Sequence, residues 1–282
     1  MGMNEVRVLL SGRGLVESPR WHDDRLYFSD WSAGEVVAVD LAGQSEVVAR
    51  VESLPLCTAW LPDGRLVIVS SPDGRLLRRE PDGSLVTHAD LRRPGWNDIV
   101  ADGRGHVYVN RAGFNPMAGE AVRPGFVHLV ATDGSVRKVA DDIAFPNGMA
   151  VTADDSTLIV ADSYRHSLVA FDIGEDGGLS GRRTWADLGE GTPDGICADA
   201  HDAVWYADVP NRRCVRVAQG GMVLQTVELD RGAFACVLGG PARTTLFIVA
   251  AQWRGMTDSE LVSPASGQVL STEVDVPGAG WP

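Results

Sequence analysis

Cysteine is scarce. The 282-residue chain has four, Cys57, Cys197, Cys214 and Cys236, and no C-x-x-C pair among them. Neither a disulfide framework nor a zinc-thiolate site is expected, and a reducing cytoplasm fits best. No apolar run approaches the ~20 residues that span a bilayer. Residues 1–6 carry no basic flank and begin no apolar core, so no secretory signal is expected. Positive charge is also short: 25 Lys and Arg face 38 Asp and Glu, a formal net charge of −13. Such a chain repels a nucleic-acid backbone or an anionic membrane on balance, and neither is expected as a partner. The six histidines show no paired spacing, and the G-x-S-x-G, Walker A and dinucleotide fingerprints are missing. No segment carries a long amphipathic helical period.

Turn residues are plentiful, with 32 Gly and 15 Pro. They punctuate a repeat. In each copy a polar or small residue opens an alternating apolar stretch, an Asp- and Gly-rich turn follows, and a β-branched run closes it. The first copy starts at Glu17 and ends in Tyr27-Phe28-Ser29-Asp30. The second runs from Cys57 through Pro62-Asp63-Gly64 to Leu66-Val67-Ile68-Val69. The third starts at Asn97 and reaches Val107-Tyr108-Val109-Asn110, and the fourth runs from Asn147 to Leu158-Ile159-Val160-Ala161-Asp162. The fifth runs from Asp194 to Trp205-Tyr206-Ala207-Asp208. The sixth and weakest runs from Phe234 to Leu246-Phe247-Ile248-Val249. Starts lie 40 to 50 residues apart, the period of a four-stranded propeller blade. The pattern predicts an all-β fold, a six-bladed β-propeller forming a single domain over residues 1–282. The apolar residues 6–10 precede the first copy; they are expected to add a strand to the outer edge of the last blade and close the ring.

Equivalent positions of innermost strands form a ring around a propeller's axis. Here that ring reads Glu17, Cys57, Asn97, Asn147, Asp194 and Phe234, whereas a purely packing ring would be apolar. Glu17, Asn147 and Asp194 offer oxygen donors only, a set that suits a hard divalent cation and leaves positions open for water and substrate. Without a cation, one of the two carboxylates should have a raised pKa. Asn147-Gly148 and Asp194-Gly195 are also ordinary turn dipeptides, but their shared place in the repeat favours a site. Asn97 is suited to binding substrate oxygens or a metal-bound water. Asp98 should point to the opposite face, where a salt bridge is as expected as a functional role. Cys57 reads as a core filler and Phe234 as a pocket wall. Trp96, Phe114, Met117, Phe145 and Tyr164 flank the ring or lie in the long insertion 111–124, and are expected to line a pocket.

Four segments carry a resemblance: Glu17-Ser18-Pro19-Arg20-Trp21, Asn97-Asp98, Phe145-Pro146-Asn147-Gly148-Met149 and Thr192-Pro193-Asp194-Gly195-Ile196. Over residues 15–250 or so, the chain resembles the SMP-30/gluconolactonase/LRE-like family of six-bladed propellers. The resemblance implies one divalent metal ion (Ca²⁺, Mn²⁺, Mg²⁺, Zn²⁺ or Fe²⁺) held by Glu17, Asn147 and Asp194, with substrate contact from Asn97. It implies hydrolysis of sugar lactones, and some family members hydrolyse organophosphates. Three positions depart from the family pattern. Ser18 replaces the usual Gly, Gly95 stands where sugar-lactone members carry an Arg, and Asn115 falls where they carry a Glu. With Trp96 and Phe114 close by, a substrate less polar than gluconolactone is expected, or a sugar lactone held differently. Arg92, Arg93, Arg111 and Glu120 are candidate stand-ins for the lost charges.

The expected activity is metal-assisted attack of water on a small lactone. Asp194 would be the general base, and Asn97, Trp96, Phe114, Asn115 and Tyr164 would bind the substrate. The alternatives are an ester or phosphotriester hydrolase on the same site, or a non-enzymatic propeller with a structural cation. The oligomeric state leaves no signal in the sequence.

Overall fold

The computed structural model describes residues 5–256 and 260–279. They form six antiparallel four-stranded sheets. The first blade runs outward in chain order through Val16–His22, Arg25–Asp30, Glu35–Val39 and Ser45–Arg50. The next four blades follow the same order, with innermost strands Thr58–Trp60, Ile99–Ala101, Pro146–Val151 and Pro193–Ala198. The sixth blade is built from Gly232–Gly239, Thr245–Ala251 and Gly267–Glu273, and its outer edge is the N-terminal strand Arg7–Arg13. Arg7 lies opposite Ser271 and Val8 opposite Leu270 in antiparallel register. The ring is thus closed by hydrogen bonds between the two ends of the chain, as expected, although the closing strand extends three residues further than the apolar run.

The second strand of a blade is buried on both faces, because each face packs on a neighbouring blade. This is why Leu66–Ser70 is buried throughout. Val69 and Leu76 of the second blade meet Ile99 and Val109 of the third. Ile159 and Ala161 of the fourth meet Val204 and Tyr206 of the fifth. Val16 and Phe28 of the first meet Phe247 and Val249 of the sixth. Each sheet therefore depends on its neighbours for a core. Much of the excess negative charge sits in hairpins. The carboxylates of Asp63, Asp82, Asp133 and Asp176 each accept a hydrogen bond from the amide two residues on. Among the described residues no helix is long and apolar enough to cross a membrane.

At one end of the channel the inner strands crowd together. A Cβ added to Gly148 would lie 2.5 Å from the Asp194 carbonyl oxygen, and one added to Gly195 would lie 2.2 Å from Ala235 Cβ. Glycine at these two places lets blades four, five and six converge. The first blade uses a different device. Ser18 takes a left-handed backbone (φ 52°), a conformation glycine adopts at lower cost. Its hydroxyl accepts from Thr58 N at 2.8 Å and donates to Thr58 O at 3.3 Å, tying the first blade to the second.

Candidate functional site

A cavity of about 670 Å³ opens where the strands converge, and Glu17, Asn97, Asn147 and Asp194 all lie on its wall. Three of these four are the second residue of an innermost strand. The residue just before each pairs with an Asp that ends the second strand: Val16 with Asp30, Pro146 with Asp162, and Pro193 with Asp208. All three Asp side chains are buried. Asp162 accepts from Ala144 N at 2.9 Å and Phe145 N at 3.0 Å. Asp30 accepts from Gly14 N at 3.3 Å, and Asp208 from Thr192 N at 3.4 Å. Each carboxylate clamps the chain as it enters an inner strand. The pairing register slips just after each clamp. Such bulges re-aim side chains, here toward the axis.

Asn147 is held from several sides. Its Oδ1 accepts from Asn97 Nδ2 at 3.3 Å and its Nδ2 donates to Ser163 Oγ at 3.3 Å. Ser163 Oγ in turn donates to the Pro193 carbonyl at 2.7 Å. The Asn147 carbonyl accepts from Asn110 Nδ2 at 2.5 Å. The Asn147 carboxamide also reaches the Asp194 carboxylate.

Burial pushes the Glu17 carboxyl well above the usual carboxylate range, and the charge of Asp194 pushes it further. Asp194 is likewise raised, by burial first and by Asp98 second. Among the described residues no basic side chain pairs with either. Arg20 is engaged elsewhere: its guanidinium lies 3.4 Å from Asp98 Oδ1 and donates to the Ile99 carbonyl at 2.7 Å. Asp98 also accepts from Met149 N at 2.9 Å, so its role is the structural bridge. Two buried carboxylates lacking a counter-charge, with the Asn147 carboxamide on the same cavity wall, fit a hard divalent cation. Among the described residues no group of three His, Cys, Asp or Glu side chains is arranged to hold a metal ion by itself. The fit rests on a mixed carboxylate and carboxamide set.

Phe114 and Tyr164 line the cavity, as does Phe145. Phe145 and Tyr164 stack with centroids 4.7 Å apart, and Phe114 sits 5.9 Å from each. Asn115 also reaches the cavity. Its Oδ1 accepts from Met117 N and Ala118 N at 3.1 and 3.3 Å, capping a short 3-10 turn over Pro116–Ala118. Trp96 is the correction. It is 1% exposed and off the cavity wall. It packs against Phe126 and His128 in the seam between blades two and three. Both residues precede the inner strand Ile99–Ala101; Asn97 faces the cavity and Trp96 turns away from it. Cys57 lies in the same seam, and Phe234 is on the cavity wall, edge-on to Trp253. Sequence reasoning missed Ser163 and the three Asp clamps. Their signal was present, since copies one, four and five all end in Asp.

A family profile described as the SMP-30/gluconolactonase/LRE-like region matches residues 15–252. The chain belongs to that family. It is 25% identical to pentonolactonase XacC of Haloferax volcanii, over 98% of this chain and 96% of the relative. It is 28% identical to the regucalcin of Gallus gallus, over 91% of this chain and 89% of the relative. Among solved structures, a luciferin-regenerating enzyme superposes with a TM-score of 0.84 at 20% identity, covering 99% and 98% of the two chains. That likeness agrees with the six-bladed propeller of this chain.

Proposed function

We propose that this protein is a divalent-cation-dependent lactonase that opens a small lactone by attack of water. The observation that carries this is the convergence of Glu17, Asn147 and Asp194, without a counter-charge, on the wall of one cavity. The pentonolactonase similar over nearly its full length supports the lactone as substrate class. A cation held by Glu17, Asn147 and Asp194 would supply electrophilic polarisation of the lactone carbonyl. In this reading Asp194 accepts a proton from the attacking water. Water oxygen adds to the carbonyl carbon, the ring C–O bond breaks, the departing oxygen takes up a proton, and a hydroxy acid results. In this reading Asn97 on the cavity wall binds a substrate oxygen, and Ser163 holds the Asn147 carboxamide. Phe114, Phe145 and Tyr164 would supply an apolar wall for the substrate. We assign it to the cytoplasm, consistent with four cysteines that form no disulfide.

The test uses protein stripped with EDTA and re-supplied with single divalent cations, assayed against sugar and aliphatic lactones and simple esters. Acid release is followed with a pH indicator. Cation-dependent release from lactones is the expected result, and Asp194→Ala should lower it on the order of 10²–10⁴-fold. Release that persists in EDTA, or full activity in Asp194→Ala, would overturn the proposal.

A further inference from the structure

The chain carries a net charge of −13, yet one side of the cavity is basic. Arg111 and Arg123 line it there, with Glu120 as the acid beside them. Glu120 is already engaged: its Oε2 accepts from Asn115 N at 3.0 Å and from Arg123 at 3.0 Å. Arg111 has no such partner. Among the described residues its guanidinium makes no hydrogen bond and no ion pair, although it is half-buried. Burial and the nearby Arg93 depress its pKa, while Glu120 acts in the opposite sense too weakly to offset them. The charged groups facing it are thus Arg93 and Glu120. The guanidinium lies over Gly95, where a Cβ would crowd Arg111 Nε at 3.1 Å. An unpaired, partly desolvated guanidinium in a ligand cavity is costly unless the ligand supplies an acceptor.

We propose that Arg111 binds an anionic group, a carboxylate or a group of similar charge, on the end of the substrate remote from the lactone carbonyl. The substrate class is then an acidic lactone, with its carbonyl toward Glu17, Asn147 and Asp194 and its anion toward Arg111. This rests on the lactonase reading above. The fork of a guanidinium matches a carboxylate with two parallel hydrogen bonds, a geometry lysine cannot supply.

The test compares a 1,4-lactone of an aldaric acid with the aldonic lactone of the same configuration. The first bears a free carboxylate where the second bears a hydroxymethyl group. The parent protein should favour the acidic lactone. Arg111→Gln should lose roughly tenfold or more in kcat/KM on it, mainly through KM, equivalent to about 1.4 kcal/mol. The same variant should change the neutral lactone little, and Arg111→Lys should recover only part of the loss. Binding of the open-chain aldarate is measured in parallel by calorimetry, and melting curves check that the variants fold. Equal losses on both lactones, or a parent that prefers the neutral one, would overturn the proposal. If no lactone is hydrolysed, the lactonase reading falls and calorimetry decides: aldarate binding that Arg111→Gln abolishes supports the anion site, and no binding refutes it.

Discussion

Replacing Asp194 with Asn should stabilise the cation-free protein and remove most of the stabilisation that a cation brings. Glu17 and Asp194 are both buried, and each has a raised pKa. Every unit of such a shift represents about 1.4 kcal/mol against the charged folded state. Asp194→Asn removes its own share of that cost and also its push on Glu17. A gain in stability in EDTA is expected, read as a higher Tm at roughly 2–4 °C per kcal/mol. A cation at a hundred times its Kd adds about 2.7 kcal/mol to the parent, some 5–10 °C by the same conversion. In the variant that shift should shrink to a small fraction. The pH dependence has a definite sign. Between the unfolded carboxylate value near 4 and the raised folded values, the folded protein holds protons that the unfolded chain has released. Cation-free protein is therefore most stable below about pH 4 on this account, and loses that contribution as pH rises through the folded values. Asp194→Asn flattens the slope. The assay is a set of melting curves from pH 4 to 8, in EDTA and then with Ca²⁺ or Mn²⁺. A variant that melts at or below the parent in EDTA would refute the reasoning, as would one that keeps the full cation shift.

Two further substitutions test the scaffold beneath the site. Ser18→Ala leaves the buried Thr58 amide without its acceptor and should cost ~1–3 kcal/mol; Ser18→Gly should cost less than Ala because it relieves the left-handed backbone, and equal melting temperatures would contradict this. Asp98→Asn leaves Arg20 buried without its counter-charge and should cost ~3–5 kcal/mol. Melting in EDTA checks it, since the change should be opposite in sign to that of Asp194→Asn.

The repeat made most of the fold legible in the sequence. Local turn chemistry and period-2 alternation recur at a fixed spacing, and neither needs distant contacts to be recognised. The same regularity picked out Glu17, Asn147 and Asp194, because equivalent strand positions must ring the axis. Trp96 was misplaced for the opposite reason. Its neighbour Asn97 was in register with the ring, but the side on which a single aromatic falls depends on the irregular entry to the blade.

The sequence by itself determined the blade count, the closing strand and the residue types on the channel ring, since these follow from periodicity and donor chemistry. Only the tertiary structure decided which charges remain unpaired. Arg20 lies next to Glu17 in the folded site but is engaged by Asp98, seventy-eight residues away. Glu120 is drawn to Arg123, and among the described residues Arg111 has no ion-pair partner above Gly95. Pairing of this kind depends on distances of a few ångströms between side chains from different blades, and no spacing along one strand encodes them.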